Sequence, residues 1–348
     1  MSYFENIQKY AVKKDAVIMG IETSCDETAV SVVKNGREVL SDVIISSATE
    51  HAKFGGVVPE IASRAHTLAI QTAVERALEE SSLSLDDIDA FAVTYGAGLL
   101  GALLVGVSYA KSLAFATGKP LVPVSHVRGH MAASYIADKS LEPPFIALLT
   151  SGGHTAIIDV KSYDEISLIG STLDDAVGEA FDKVARVLGL SYPGGPAVEK
   201  LAKQGAKTVP LPKMFKGQGG YNFSYSGLKT AVINYIHNAE QKGEKINPAD
   251  VACSFQSSAL DILIEKAVQA CREKNYKVIS LCGGVGANGY LRENLTKTAE
   301  KYGIKTVLPE KRYCTDNGCM IAAEGYIQYL KGNFVDLTLN ASATVPLK

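Results

Sequence analysis

The chain has 348 residues, about twice the length of a typical domain, so we expect two domains. With 47% hydrophobic and 21% charged residues, its composition is that of a globular protein and excludes a disordered or fibrous one. A net charge of −2 gives no sign of a broadly basic nucleic-acid-binding domain, so any nucleic-acid surface must be a local patch.

The cysteines and the apolar stretches indicate the cellular setting. None of the six cysteines forms a C-x-x-C pair, which argues against a zinc ribbon or a thioredoxin-type redox site. Most lie in apolar contexts, a pattern that suits a reducing compartment. The first residues have no apolar signal-peptide core, and the longest apolar stretch, residues 99–110, is shorter than a bilayer span. We therefore expect a cytoplasmic protein without a membrane segment.

The first half of the chain has the pattern of three strands followed by alternating helices and strands. Strands are predicted at 16–21, 29–33, 38–45, 90–94 and 121–124, and helices at 59–80, from 99 to 117 and from 126 onward. Asn35-Gly36 between the second and third strands predicts a tight hairpin. Ser125 is placed to cap the helix that begins at His126.

The same order of elements begins again after Pro143-Pro144. Strands are predicted at 145–149, 155–160, 166–170, 278–282 and 306–308, and helices at 173–188, 248–274 and 316–331. We predict an N-terminal extension (1–14), a first lobe (15–143), a second lobe (144–331) with an insertion at 190–247, and a C-terminal tail (332–348) that packs on the first lobe. Ligands of such folds bind where strand ends meet helix starts, here between the halves.

Two histidines four residues apart indicate a metal site. His126 and His130 lie on one face of a predicted helix directly after a strand. A purely structural histidine pair is the alternative. Val127 stands where a zinc protease of the H-E-x-x-H type carries its general-base Glu, which disfavours that mechanism. Asp316 in CTDNG is the best candidate for a third ligand, although Asp316 or Thr315 could instead cap the last helix.

Three polar or glycine-rich turns follow buried strands. They are ETSCDET, TSGGH and GGVGAN, and each can present backbone N–H groups to the oxygens of a phosphate or nucleotide. None matches the Rossmann or P-loop pattern. Their equivalent places in a duplicated fold indicate a nucleotide held between the lobes.

Two charged stretches follow in the second half. Asp175, Glu179 and Asp182 are predicted on one helical face together with the neighbouring Asp174, either as a solvated acidic face or as partners for ribose hydroxyls. A local basic and aromatic stretch is the best candidate for contact with a phosphate backbone, against the alternative of a solvated surface. It consists of Lys203, Lys207, Lys213, Lys216 and Lys229, with Tyr221 and Tyr225.

Taken together, these motifs resemble the tRNA threonylcarbamoyladenosine transferase family, whose members were formerly called O-sialoglycoprotein endopeptidases. The resemblance is carried by GIETSCDET, FGGVVPE, the H-x-x-x-H helix, SGGHT, DDAVGEAFDKVARVLGL, GGVGAN and CTDNG, from about residue 17 to residue 331. It implies an α/β fold of the actin/Hsp70 (ASKHA) type, with two RNase H-like lobes and a nucleotide and metal cleft between them. The first dozen residues and residues 238–247 lie outside the match.

The resemblance also implies an activity and its site. The threonylcarbamoyl group of threonylcarbamoyl-AMP is transferred to the exocyclic amine of the adenosine just 3′ of the anticodon, in tRNAs that read ANN codons. The implied metal, iron or alternatively zinc, is held by His126, His130 and Asp316. The implied adenylate contacts are Leu149, Thr150, Ser151, Gly152, Gly153, Asp182, Gly195, Glu199 and Asn288.

Leu149 separates this chain from part of the family. Archaeal and eukaryotic members carry a tyrosine there that can join the metal, so the chain resembles bacterial members. Their implied partners are a degenerate paralogue of the same fold and a small P-loop ATPase.

The adenine amine is a poor nucleophile, and Asp26 and Glu27 are candidates for the base that removes its proton.

Two rival functions remain, a metalloprotease and a sugar kinase or ATPase of the same fold. The latter has no use for a histidine metal site, since Mg²⁺ prefers oxygen ligands.

Overall fold

The structure is a computed structural model that describes residues 3–214 and 220–346. Ten strands are assigned in this range: β1 (Val17–Glu22), β2 (Glu27–Lys34), β3 (Glu38–Ser46), β4 (Ala90–Gly96), β5 (Leu121–Ser125), β6 (Phe145–Thr150), β7 (Thr155–Val160), β8 (Ile166–Ser171), β9 (Val278–Cys282) and β10 (Lys305–Val307). The α-helices of the same described range are α1 (Tyr3–Ile7), α2 (Ala48–Ala52), α3 (Pro59–Ser81), α4 (Leu100–Thr117), α5 (His126–Ala137), α6 (Val177–Val187), α7 (Gly194–Ala202), α8 (Ser226–Lys242), α9 (Pro248–Glu273), α10 (Gly289–Glu300) and α11 (Gly318–Leu330).

The chain forms two compact units. The first contains Met1–Leu141 and Asp316–Lys348, and the second contains Glu142–Thr315. Each has one five-stranded mixed sheet, in the order β3-β2-β1-β4-β5 in the first unit and β10-β9-β6-β7-β8 in the second. Three antiparallel strands are extended by two parallel strands in both sheets. This repeated order confirms the predicted α/β fold of two RNase H-like lobes.

The hairpin between β2 and β3 forms as predicted. Asn35 and Gly36 both adopt positive φ angles, 55° and 64°, which suits a turn between two antiparallel strands. The central strands β1 and β4 are buried along nearly all their length, because helices cover parallel strands on both faces. The apolar runs that predicted these strands therefore reflect burial within the sheet.

The last helix belongs to the first unit, which corrects the predicted second lobe of 144–331. α11 packs against β1, β2, β4 and α5. Glycines allow this approach, since a Cβ atom on Gly20 of β1 would lie only 2.2 Å from the carbonyl oxygen of Gly318. The order of elements along the chain cannot show which sheet a final helix covers. The assignment of α11 to the first unit was therefore not predictable from the sequence.

The described residues near both chain ends pack on the first unit. In the N-terminal extension, Ile7 is fully buried and Tyr10 contacts the rings of Tyr329 and Phe334. In the C-terminal segment, Val335 pairs with Leu121. The backbone N–H of Ser342 donates to the carbonyl oxygen of Tyr95 at 2.8 Å. The described part of the tail therefore contacts the same unit as α11.

Among the helices of residues 3–214 and 220–346, one, α4, is long and apolar enough by length and composition to cross a membrane. Its buried face, including Ala102 and Leu103, packs on the first sheet and on α3. The core helix of a globular domain passes the same test. Leu100, Leu104 and Phe115 remain exposed on its outer face.

We expect Gly20→Ala to destabilise the first unit, because the added methyl group would overlap the backbone of α11. Such overpacking costs about 1–3 kcal/mol in free energy of unfolding, measurable by urea denaturation. Gly56→Ala is the matched control, since a Cβ atom there meets nothing within 4 Å. Equal stability of the two variants would show that α11 does not need this close approach.

Candidate functional site

The two histidines lie at the start of α5, as the sequence predicts. His126 is the first residue of the helix and His130 lies one turn later, and both side chains are buried. Their ring centroids are 4.5 Å apart. Ser125 was predicted to cap this helix, but its side chain makes no capping hydrogen bond in the described chain. The predicted cap is therefore not formed.

Asp316 completes a group that could hold a metal. Its Oδ1 atom lies 3.5 Å from Nε2 of His126 and 3.4 Å from Nε2 of His130. The alternative that Asp316 or Thr315 caps the last helix is wrong. Asn317 is the cap, and its Oδ1 accepts a hydrogen bond from the backbone N–H of Met320 at 2.8 Å. Asp316 is thus left facing the two imidazoles.

The spacing of these ligand atoms fits a metal ion. In a tetrahedral site with metal–ligand distances of about 2.0–2.1 Å, the ligand atoms lie about 3.3 Å from one another. The two distances from Asp316 come close to this value, and all three candidate ligand atoms lie within 4.8 Å of one another. Without a shared cation or proton, the half-buried carboxylate and the two buried rings would bear an uncompensated desolvation cost.

Glu22 at the end of β1 supports His126 and was missed by the sequence analysis. Its Oε2 lies 3.1 Å from Nδ1 of His126 and accepts a hydrogen bond from Thr94 at 2.6 Å. A carboxylate that binds the far nitrogen of a metal-ligating histidine fixes its tautomer and orientation. The one available signal was an acidic residue at the end of an otherwise apolar, buried strand.

The buried charges shift the pKa values of the site. Burial opposes the charge of the His126 ring, but the carboxylates of Asp316 and Glu22 outweigh it and raise the pKa to about 9. Burial raises the pKa of Asp316 to about 6, although His126 acts in the opposite direction. At neutral pH the imidazole of His126 is therefore protonated in the metal-free site, and metal must displace that proton.

Asp26 and Glu27 lie in the same unit, in the loop after β1 and at the first residue of β2. Burial, followed by the negative charge of Asp316 and a hydrogen bond with Asp26, raises the pKa of Glu27 to about 9. Its Oε1 also accepts a hydrogen bond from Ser46 at 3.3 Å. Glu27 is therefore a neutral acid at pH 7 in the metal-free protein.

The predicted adenylate contacts all lie in the second unit, where three glycine turns come together. A Cβ atom on Gly178 at the start of α6 would lie 2.7 Å from the carbonyl oxygen of Ser151. One on Gly283 would lie 2.6 Å from that of Thr150. Leu149 and Thr150 are buried, whereas Gly152 and Gly153 are exposed. The backbone of the turn at Gly152 and Gly153 is therefore accessible from solvent.

The remaining predicted contacts form two pairs. Oδ1 of Asp182 accepts a hydrogen bond from the backbone N–H of Gly194, next to Gly195, at 2.7 Å, and burial raises the pKa of this carboxyl. Glu199 accepts one from the N–H of Gly289 at 3.2 Å. The adjacent Asn288 caps α10 and donates to Gln256.

The predicted acidic helical face is only partly formed, since Asp182 and the exposed Glu179 lie on α6 but the two preceding aspartates do not. α6 begins at Val177, so Asp174 and Asp175 precede it. Asp174 accepts hydrogen bonds from the backbone N–H groups of Tyr225 and Ser226 at the start of α8. Asp175 pairs with Lys183 and Lys229. These carboxylates bind the start of α8 and its lysine, although the side chain of Asp174 remains exposed.

The predicted basic and aromatic stretch is only partly available for binding. Lys203, Lys207 and Lys229 pair with carboxylates. Tyr225 is buried, and the hydroxyl of Tyr221 donates to Glu273. Lys213 is exposed, and Lys216 lies outside the described residues.

Comparison with known sequences decides the family. A family model described as tRNA N6-adenosine threonylcarbamoyltransferase matches residues 38–323. A protein of that name from Clostridium botulinum (strain Kyoto / Type A2) is 50% identical over 337 residues, covering 97% of this chain and 99% of that protein. One from Clostridium perfringens (strain SM101 / Type A) is 51% identical over 332 residues, covering 95% and 98%. The chain belongs to the tRNA N6-adenosine threonylcarbamoyltransferase family. The resemblance predicted from the motifs is confirmed.

Solved structures show the same fold. Full-length HypF in a phosphate- and nucleotide-bound crystal form matches 92% of this chain and 56% of that chain, with a TM-score of 0.61 at 16% identity. HypF of T. kodakarensis matches 95% and 50%, with a TM-score of 0.62 at 17% identity. This chain spans about half of those proteins, and at such low identity the likeness concerns the fold alone. The predicted two-lobed actin/Hsp70-type fold of the threonylcarbamoyltransferase family is confirmed.

We expect Glu22→Gln to weaken metal binding by about 10- to 100-fold, the usual effect of losing an outer carboxylate partner. Competition with a chromophoric chelator measures the change. Asp42→Asn is the matched control, since Asp42 is a carboxylate of the same sheet that binds Ser31. Equal affinities of the two variants would contradict the support assigned to Glu22.

Metal affinity should rise with pH. Because the pKa of His126 is about 9 in the metal-free site, binding near pH 7.5 should release about one proton. The apparent affinity should gain about tenfold per pH unit between about 6, the pKa of Asp316, and about 9, and should level off above that range. Calorimetric titrations in buffers of different ionisation enthalpy count the protons. If no proton were released at pH 7.5, this result would contradict a protonated His126 in the metal-free site.

Proposed function

We propose that the protein transfers the threonylcarbamoyl group of threonylcarbamoyl-AMP to the exocyclic amine of the adenosine 3′ of the anticodon, in tRNAs that read ANN codons. AMP is released. The observation that carries this proposal is the family match across nearly the whole chain, together with a group of two buried histidines and the half-buried Asp316 in the first unit. tRNA is thus the nucleic-acid substrate, as the family name states.

We propose iron as the metal, with zinc as the alternative. Two imidazoles and one carboxylate with free positions are the ligand set typical of non-haem iron(II) sites, and zinc accepts the same atoms. When bound, such an ion supplies Lewis-acid polarisation of a substrate oxygen. Elemental analysis of protein purified without chelator identifies the ion. His130→Ala should lose it, and retention at one ion per chain would contradict this ligand set.

The acid–base step is assigned to Asp26. The amine nitrogen forms a bond to the carbamoyl carbon, the bond from that carbon to the phosphate oxygen of AMP breaks, and the amine proton passes to a carboxylate. In the metal-free protein, burial and the nearby carboxylates of Asp316 and Asp26 raise the pKa of Glu27, which favours its protonated form. Asp26 therefore suits the role of base, and Glu27 suits that of a hydrogen-bond donor.

Asp26→Ala should slow transfer by about 10²–10⁴-fold, the usual contribution of a general base. The measurement is single-turnover formation of the modified nucleoside from threonylcarbamoyl-AMP and unmodified tRNA. Asp15→Ala is the control, since Asp15 is an exposed carboxylate that pairs with Lys34. A full rate in Asp26→Ala would assign the base elsewhere.

We propose that the second unit binds the adenylate. The exposed Gly152 and Gly153 offer backbone N–H groups to phosphate oxygens. Asp182, Gly195, Glu199 and Asn288 complete the proposed contacts. Lys213 remains the proposed contact for the tRNA backbone, and reversing its charge should weaken tRNA binding.

Partner proteins are also proposed, a degenerate paralogue of the same fold and a small P-loop ATPase. The exposed Leu100, Leu104 and Phe115 on one side of α4 support a docking face for a protein. The proposed location is the cytoplasm. The metalloprotease alternative is not favoured, because the family is a transferase family and Val127 occupies the place of the protease glutamate.

A further inference from the structure

Two buried histidines of the first unit take no part in the metal site. His51 lies in α2 and His66 lies in α3, and neither side chain has solvent exposure (0%). Fully buried histidines need satisfied ring nitrogens, because an unpaired buried polar group is costly. Their hydrogen-bond partners therefore show what the two rings hold in place.

The partners of His66 fix its proton on Nε2. This nitrogen lies 3.0 Å from the carbonyl oxygen of Cys25, and since a carbonyl can only accept, the nitrogen donates. Nδ1 then accepts from the hydroxyl of Thr28 in β2 at 2.7 Å. Burial, the largest influence, lowers the pKa of His66, so the neutral ring keeps this pattern near pH 7.

His51 is linked to the carbonyl group of Asp26, the residue after Cys25, through the side chain of Ser47. The backbone N–H of Val58 donates to Nδ1 of His51 at 3.2 Å, so the ring proton lies on Nε2. That nitrogen lies 3.2 Å from the hydroxyl oxygen of Ser47. The hydroxyl in turn donates to the carbonyl oxygen of Asp26 at 2.8 Å. Each donor in this series of hydrogen bonds, from the Val58 N–H to the Asp26 carbonyl, therefore has one acceptor.

The two histidines, which lie on different helices, therefore hold two consecutive carbonyl groups in place. His66 binds the carbonyl oxygen of Cys25 directly, and His51 is linked to that of Asp26 through Ser47. These peptide groups set the directions in which the side chains of Asp26 and Glu27 leave the backbone. The negative charge of Asp316 acts on Glu27, so this loop lies within the electrostatic reach of the metal ligands. A shift of about 1 Å in such a group costs about a hundredfold in rate.

We propose that His51 and His66 are positioning residues for threonylcarbamoyl transfer, which hold the Cys25–Asp26 backbone so that the carboxylate of Asp26 keeps its place. This inference rests on the role proposed above for Asp26. Neither histidine belongs to the His126–His130–Asp316 group. They act through the backbone that carries the base.

The test compares His66→Ala with His66→Gln in single-turnover transfer. The alanine variant should lower the rate constant by about 10- to 100-fold, with KM for tRNA and metal content unchanged. The glutamine amide can still donate to the Cys25 carbonyl, so this variant should recover most of the rate. Ser41→Ala, which loses a buried hydrogen bond to Val32 of the same sheet, is the control for general destabilisation.

Ser47→Ala provides a milder variant in case His66→Ala does not fold. It removes the link between His51 and the Asp26 carbonyl but keeps the backbone bond from Ser47 N–H to that oxygen. A slower rate at unchanged KM supports the proposal. An unchanged rate in Ser47→Ala overturns the role of His51, and equal rates in His66→Ala and His66→Gln overturn that of His66.

A double variant separates this proposal from the proposed function. If His66 acts through Asp26, the His66→Ala/Asp26→Ala protein should be no slower than Asp26→Ala alone. Losses that multiply would overturn the positioning role and leave Asp26 as the base. A full rate in Asp26→Ala would overturn the base assignment itself, whatever the histidine variants show.

Discussion

The close approach of α11 to β1 is the contact on which the rest of the first unit depends. Gly20 and Gly318 meet backbone to backbone, with no room for a Cβ atom on either. Gly129 makes similar room on α5, where a Cβ atom would lie 2.6 Å from the side chain of Ile321. Because α11 lies this deep, Asp316 just before it reaches both imidazoles of α5.

Burying so many ionisable groups is tolerable only because each has a partner. Glu22 is held in its charged form, against its burial, by His126 and by hydrogen bonds from Thr94 and Ser24. Arg128 of α5 pairs with Glu324 of α11 at 2.6 Å, so an ion pair also joins the two helices. Removing one partner of such a pair is strongly destabilising, since it leaves an uncompensated charge. The interactions that position the candidate metal-binding residues thus also stabilise the unit.

Local sequence patterns predicted much of the fold and of the candidate site. The features that were not predicted depend on long-range packing. The Asn35-Gly36 hairpin, the order of elements and the His126–His130 spacing follow from residues close in sequence. Placing α11 in the first unit, or Glu22 behind His126, requires contacts between residues 104 or more positions apart. The start of α6 was missed because Asp174 and Asp175 fit a helical pattern, yet bind α8 and its lysine instead.

The central claim is that the group formed by His126, His130 and Asp316 holds the metal that serves threonylcarbamoyl transfer. The direct measurement is the transfer rate as metal-free protein is titrated with iron(II), with threonylcarbamoyl-AMP, tRNA and partner proteins held constant. The account predicts a rate that rises in proportion to bound metal and saturates at one ion per chain. A full rate in the metal-free protein, or saturation unrelated to occupancy of this site, would contradict it.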